Sequence, residues 1–337
     1  MCAFEFPKRI PLSQLPTPIE KLERLAPLFN GVEIYIKRDD LTGIDLSGNK
    51  IRKLEFIAAK ALQQGIDTLI TAGGQQSNHA RATAAVAARL GLRAHLVLGG
   101  DGKGALTGNL LLDYLLGAEV TLVPTEDLDA LTTVMQELAN EYRKKGHQPE
   151  ILPMGASNAT GALGYAHAIA EMLPQFEGLG FIPDYIVAAA GSGGTHAGLM
   201  IGKELFKLPC EIISINVRMD APYFVREISR VLDEFRNLYL SDLQACAQDI
   251  HIVDGYVGTG YAQSTLDELR FIHNVARTTG LVLDPVYTGK AFYALWRETQ
   301  NGRFQKGNRI LFIHTGGIYG LFPFGDQYAR EVLGSKP

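Results

Sequence analysis

Residues 185–206 read YIVAAAGSGGTHAGLMIGKELF, and this stretch decides the fold. The apolar run Tyr185–Ala189 has the length and composition of a buried strand. It enters the turn Ala190–Thr195 (AGSGGT), and a helical pattern follows from His196 to Phe206. A strand that runs through glycines into a helix presents unpaired backbone N–H groups to an anion. Ser192 and Thr195 add hydroxyl donors. No Gly-Lys-Ser/Thr closes the turn, so it is not a Walker loop. His196 stands where a dinucleotide fingerprint has its third glycine. A compact phosphate monoester therefore suits the turn better than a triphosphate or a dinucleotide, with a plain tight turn as the structural alternative.

Outward from this unit, the pattern repeats. Thr68–Thr71, Ala94–Leu98, Glu119–Val123, Glu211–Val217 and Arg309–His314 read as further buried strands. Lys50–Gln64, Ser77–Leu90 and Leu128–Lys145 carry helical periodicity, and Met219–Asp249 reads as helical throughout. Strands alternating with helices predict an α/β protein with a mostly parallel sheet covered on both faces. At 337 residues the chain has room for two modest domains. A net charge of −4 leaves no electrostatic footprint for nucleic acid, and no apolar run reaches the roughly 18 residues of a spanning helix. The start Met1–Phe6 lacks the features of a signal peptide, and Cys2, Cys210 and Cys246 are widely scattered. The expectation is a cytoplasmic protein with neither a disulfide framework nor a metal site.

Four more polar turns precede helices or end strands. Ser47-Gly48-Asn49-Lys50 offers Ser47 or Asn49 as a helix cap and places Lys50 and Lys53 in the first turn. Cations there oppose the helix dipole. A lysine pair in such a place has a lowered pKa and gains nucleophilicity toward a carbonyl; two solvated lysines are the alternative. Gly73–His79 (GGQQSNH) is a turn and polar helix start, in which Ser77 also reads as a plain N-cap and His79 as a structural histidine. Asp284–Lys290 (DPVYTGK) puts Tyr287 in a turn, where a neighbouring cation can lower its pKa from about 10 for acid–base work. His314–Gly317 (HTGG) ends a strand at the carboxyl edge, where α/β sheets bind ligands.

Taken together and in this order, these motifs resemble those of the D-cysteine desulfhydrase and 1-aminocyclopropane-1-carboxylate deaminase family. The resemblance also includes Ile36-Lys37-Arg38-Asp39-Asp40 and runs from about Pro16 to Phe324. It implies a pyridoxal 5'-phosphate enzyme of the tryptophan-synthase-β fold type (fold type II). Two unequal domains are implied, 1–47 with 165–337 as the larger and 48–164 as the smaller, with the active site between them and homodimers as the usual assembly. Lys50 would hold the cofactor aldehyde, and Asn78 its 3-oxygen. Gly191, Ser192, Gly193, Gly194 and Thr195 would hold its phosphate, helped by Lys53. Thr315 would lie at its pyridine nitrogen. Ser77, Tyr261 and Tyr287 would act on the substrate, a small amino acid also bordered by Asn78 and His79.

One position bears on the reaction. Ring-opening relatives resemble Asp-Pro-Val-Tyr-Glu, whereas here Thr288 follows Tyr287. A carboxylate can keep the pyridine nitrogen protonated and the electron sink deep; a threonine hydroxyl does not. Thr288 as the neutral partner therefore favours β-elimination from D-cysteine over ring opening, with pyruvate, ammonia and hydrogen sulfide as products. Sulfite elimination from cysteate is the related alternative, although no added cation for its extra charge stands out. A carrier of the cofactor without turnover is the rival of a different class.

Overall fold

The computed structural model describes residues 4–100 and 106–334; Cys2 and the first three positions of the segment read above for a signal peptide lie outside them. Among the described residues, ten strands form two sheets. The smaller holds β3 (Thr68–Gly74), β4 (Arg93–Gly99), β5 (Glu119–Val123) and β6 (Pro149–Ile151), all parallel, in the order β5-β4-β3-β6. The larger holds β1 (Ile19–Lys21), β2 (Glu33–Lys37), β7 (Tyr185–Ala190), β8 (Glu211–Asn216), β9 (His251–Val253) and β10 (Arg309–Ile313). Its order is β1-β2-β10-β7-β8-β9, parallel except for β1. The fold is thus α/β with two mostly parallel sheets.

Both sheets are sandwiched by helices, as continuous apolar strands require. On the small sheet, α1 (Lys50–Gln63) and α2 (Asn78–Leu90) cover one face with Ile51, Leu54, Ala80 and Ala84, while α4 (Leu128–Lys144) covers the other with Leu131, Met135 and Ala139. The connecting α3 spans Gly108–Leu115. On the large sheet, α5 (Ala159–Leu179), α6 (Gly194–Phe206) and α7 (Ala221–Leu238) pack on one face. Helices α8 (Leu266–Thr279) and α9 (Thr288–Gln300) pack on the other. The helix read over Met219–Asp249 ends at Leu238. Its buried stripe Phe224, Ile228, Val231, Leu232, Phe235 stops there, and the chain continues irregularly to a short 3-10 turn at Ala247–Asp249.

The boundary read at Gly164/Tyr165 falls inside α5, which runs unbroken from Ala159 to Leu179. At Gly164 this helix crosses α1 so closely that a Cβ would lie 2.5 Å from the Arg52 carbonyl. Beside the crossing, a buried ionic knot joins α1, α5 and β2. The Arg52 guanidinium donates to both Asp39 oxygens at 2.8 Å and to Glu171 at 2.8 and 3.0 Å. Lys37 Nζ donates to Glu171 at 2.7 Å, and the Tyr165 hydroxyl donates to Asp39 at 2.6 Å. Arg52, Asp39 and Lys37 are all essentially without solvent exposure. Two residues from Lys50, the first turn of α1 is therefore fixed to α5 and to the end of β2 in the larger sheet.

Candidate active site

A cleft opens between the carboxyl edges of the two sheets. Eleven of the expected residues line it: Lys50, Ser77, Asn78, His79, Gly191, Ser192, Gly193, Thr195, Tyr261, Tyr287 and Thr315. Three do not. Lys53 and Gly194 lie just behind the wall, and Thr288 is turned away from it.

The anion cradle is the start of α6. Gly193 takes a left-handed conformation (φ 82°) that an ordinary side chain resists, and it offers the helix no side-chain cap. The first N–H groups of α6 thus have no competing side chain on their own loop. Opposite them, Gly155 (φ 70°) brings its backbone so near that a Cβ would fall on the Ser192 hydroxyl. Ser157 Oγ donates to Ser192 Oγ at 2.9 Å and accepts the Gly194 N–H at 3.2 Å, which explains why Gly194 supports the loop instead of facing the cleft.

The cap expected from Asn49 does not form. Its Nδ2 donates instead to Thr195 Oγ1 at 3.0 Å, and its own N–H donates to Thr315 O at 3.1 Å. The start of α1 is thereby tied to both the phosphate-type loop and the end of β10. Lys50, the first residue of α1, meets no carboxylate, and burial alone brings its pKa down to about 8. Lys53 is pushed well below the ordinary lysine range, by burial first and then by the charge of Lys50; its Nζ donates to Gly155 O at 3.2 Å. Burial is therefore the main cause for both lysines, and the charge of Lys50 adds a lesser push on Lys53. His79 is also pushed down, by burial and then both lysines, and its Nε2 pairs with Thr71 Oγ1 at 2.9 Å. Among the described residues lining the cleft there is no Asp or Glu. This wall calls for an anion.

The remaining side chains are oriented from behind. Ser77 both caps α2, accepting the Ala80 N–H at 3.2 Å, and faces the cleft. Asn78 Oδ1 accepts from the fully buried Asn109 Nδ2 at 2.9 Å, which leaves the Asn78 Nδ2 to donate into the cleft. Tyr261 and Tyr287 share a hydroxyl–hydroxyl hydrogen bond. Burial raises both their pKa values, that of Tyr287 well above the usual range, and outweighs the nearby Arg218. Tyr287 is accordingly a proton donor near neutral pH, and the lowered pKa expected from a cation is not found. Lys290 Nζ donates to Val257 O at 2.6 Å and Gly260 O at 3.1 Å, holding the Gly-rich loop that carries Tyr261.

Thr288 departs from expectation. Its hydroxyl donates to Asp284 Oδ1 at 2.6 Å and it has no exposure. Asp284 also accepts the N–H groups of Val286, Tyr287 and Thr288, closing the first turn of α9. The Asp284–Thr288 pair thus shapes the turn that presents Tyr287, and Thr315 alone is the threonine at the cleft near the end of β10. The sequence reading also missed Met154, His196 and Arg218, which share the wall. Arg218 stands two residues past the end of β8, at the same carboxyl edge as the recognised motifs; that position was the available signal.

Uncapped helix N-termini, a lysine brought to about pKa 8, a second depressed lysine and a carboxylate-free wall fit a phosphorylated aldehyde, and they define a pyridoxal-phosphate enzyme site of fold type II. The chain belongs to the pyridoxal-phosphate dependent enzyme family, whose model matches residues 10–316. It is 42% identical to the bifunctional D-cysteine desulfhydrase/1-aminocyclopropane-1-carboxylate deaminase of Arabidopsis thaliana, a mitochondrial protein, over 94% of this chain and 80% of that one. It is also 42% identical to the D-cysteine desulfhydrase of Klebsiella pneumoniae, covering 94% and 96%. A crystal structure of an ACC deaminase homologue superposes with a TM-score of 0.89 at 38% identity, covering 96% of each chain. The cofactor is pyridoxal 5'-phosphate, and the family's relatives named here act on small amino acids.

Proposed function

We propose that this chain is a carbon–sulfur lyase that eliminates the thiol of D-cysteine: D-cysteine and water give pyruvate, ammonium and hydrogen sulfide. The observation that supports the choice is the wall itself: Thr315 lines it and no carboxylate does among the described residues, so the partner of the ring nitrogen would be the neutral Thr315 hydroxyl. Bound pyridoxal phosphate supplies the electron sink for a carbanion at Cα. Lys50 would hold its aldehyde carbon, Asn78 its 3-oxygen, and the 191–195 loop with Lys53 behind it the phosphate. A neutral hydroxyl at the nitrogen suffices for a thiolate, whose conjugate acid has a pKa near 8.5, while expulsion of a carbon centre asks for more.

The protein's own groups then divide the proton work. Lys50 Nζ, with a pKa of about 8, is suited to take the α-proton near neutral pH. Ser77 and the start of α2 are placed to orient the substrate carboxylate. The Tyr261–Tyr287 pair, protonated by virtue of burial, is suited to donate to the departing sulfur. These four side chains on one cleft favour turnover over a mere cofactor carrier. The name of the Arabidopsis relative supports 1-aminocyclopropane-1-carboxylate deamination as the second reading. Hydrogen sulfide release from D-cysteine, compared with 2-oxobutanoate formation from the cyclopropane substrate, tests the choice. Higher kcat/KM on D-cysteine is expected; a preference for the cyclopropane amino acid would overturn it.

Pairing of two copies belongs to the same proposal. Leu111, Tyr114 and Leu115 on α3 and Phe322 on the adjoining 3-10 turn are exposed apolar side chains that a second copy would cover. Sedimentation analysis should return twice the chain mass.

A further inference from the structure

Asn78 ends a chain of buried polar groups that begins behind the cleft. Asn78 and Arg81 stand three residues apart near the start of α2 and so share one of its faces. Asn109, at the start of α3, bridges them. Its Oδ1 accepts from Arg81 Nε at 3.1 Å, and its Nδ2 donates to Asn78 Oδ1 at 2.9 Å and to Gln76 O at 3.0 Å. The Asn109 N–H donates to Gln76 Oε1 at 2.9 Å. Gly108 permits this approach: it takes φ 60°, and a Cβ there would lie 2.5 Å from both Gln76 Oε1 and Tyr319 O. Arg81 and Asn109 have no solvent exposure, and Asn78 is buried. The Arg81 guanidinium also donates to Asp45 O and, at 2.7 Å, to Ser47 O, on the segment that leads into Lys50. Burial brings Arg81 down only to about 10, so it stays charged at neutral pH. Asp113, one turn further along α3, adds the pull of a buried carboxyl group, whose oxygens have no hydrogen-bond partner among the described residues.

A guanidinium donates and never accepts. Arg81 therefore fixes Asn109 with its Oδ1 toward the arginine and its Nδ2 toward Asn78. Asn109 in turn fixes Asn78 with Oδ1 inward and Nδ2 toward the cleft. Reversing either amide would set donor against donor or acceptor against acceptor in a site without water to relieve it. We infer that Arg81 and Asn109 are positioning residues that set the hydrogen-bond polarity of Asn78, so that the cleft is offered a donor and the cofactor's 3-oxygen is held as an acceptor, without its proton. This deepens the assignment of Asn78 made above and rests on it, but not on the choice of substrate. Hydrogen bonds aligned in one direction polarise one another, so a chain headed by a fixed cation strengthens its last donor. Through Ser47 O the same guanidinium also steadies the turn before Lys50.

The test titrates the apoenzyme with pyridoxal 5'-phosphate and with 3-deoxypyridoxal 5'-phosphate, which lacks only the oxygen in question. The ratio of the two affinities reads the Asn78 contact, and general damage to the site cancels from it. Asn109→Asp keeps the shape, but its carboxylate, held ionised by Arg81, cannot donate to Asn78. The Asn78 amide should then turn its Nδ2 to that carboxylate and its Oδ1 to the cleft. The affinity ratio should fall by about tenfold or more, the cost of mismatching a buried polar group. At one fixed pH near 7, the long-wavelength visible band of the holoenzyme should lose intensity to a shorter-wavelength band as the 3-oxygen regains its proton. Arg81→Gln, whose amide can donate or accept, should lower the ratio in the same direction and by less. Asn109→Ala, which adds no charge, should also lower it and stands in if Asn109→Asp does not fold. In an Asn78→Ala background, Asn109→Asp should change the ratio by less than about twofold, because its effect passes through Asn78. A wild-type ratio and spectrum in the Asn109 variants, or an undiminished loss in the Asn78→Ala background, would overturn the relay. A wild-type ratio in Asn78→Ala itself would overturn the Asn78 assignment, and the relay with it.

Discussion

Lys50 and Lys53 face one side of the first turn of α1 and Arg52 faces the other, and all three are withdrawn from bulk water, yet only Arg52 meets carboxylates. Around Arg52, Asp39 and Glu171 satisfy the guanidinium from four directions, and the Asp39 carboxyl stays below its usual range despite complete burial, because Arg52, Lys37 and Tyr165 offset the desolvation. Around the lysines there is no acid, and burial lowers both. Compensated charge holds a structure together; uncompensated charge at two open helix ends awaits a ligand. The comparison separates anchor from active site within a single helical turn.

The variants that should separate the two clusters most strongly replace one cation from each. Lys50→Ala should lower turnover by at least about a thousandfold, with circular dichroism and unfolding midpoint close to wild type, because the lysine acts covalently and packs against little. Arg52→Met should do the reverse. Leaving Asp39 and Glu171 short of their partner should cost about 3–5 kcal/mol of stability by urea unfolding, while the kcat of the folded protein changes far less than in Lys50→Ala. Equal stability losses in both variants would erase the distinction.

Smaller effects sharpen the ligand side. Gly193→Val puts a branched side chain at φ 82° and should weaken cofactor affinity by about 10–100-fold in equilibrium titration; unchanged affinity would reduce the loop to a turn. The pH dependence is gentler still. Lys50 reacts as the neutral amine, whose fraction for a pKa of about 8 grows roughly fivefold from pH 7 to 8 and levels off above about pH 9. Cofactor capture by the apoenzyme should follow that curve, and a rate that keeps climbing tenfold per unit to pH 10 would indicate an ordinary lysine.

The strands and turns of this site were legible because each is a local pattern: an apolar run, glycines, then helical periodicity. The runs at 185–189 and 68–71 became β7 and β3 with extensions of one and three residues. The helix ends at Asn49 and Gly193 were legible as places but not as contacts, since Asn49 pairs with Thr195, 146 positions away. Thr288 misled because a cap-like Asp four residues before it, Asp284, takes its hydroxyl. Arg218 was silent for a related reason. A lone arginine after a strand is ordinary in sequence, and only the folding of Met154 and Tyr261 around it reveals where it points.

The central claim is that Lys50 carries the cofactor. Borohydride reduction of the purified holoenzyme followed by peptide mapping tests it directly, because reduction fixes the cofactor on the lysine that holds it. The account predicts a single pyridoxyl-modified peptide, modified at Lys50, with Lys53 and Lys290 unmodified. Modification at either of those lysines, or no fixed adduct at all, would contradict it.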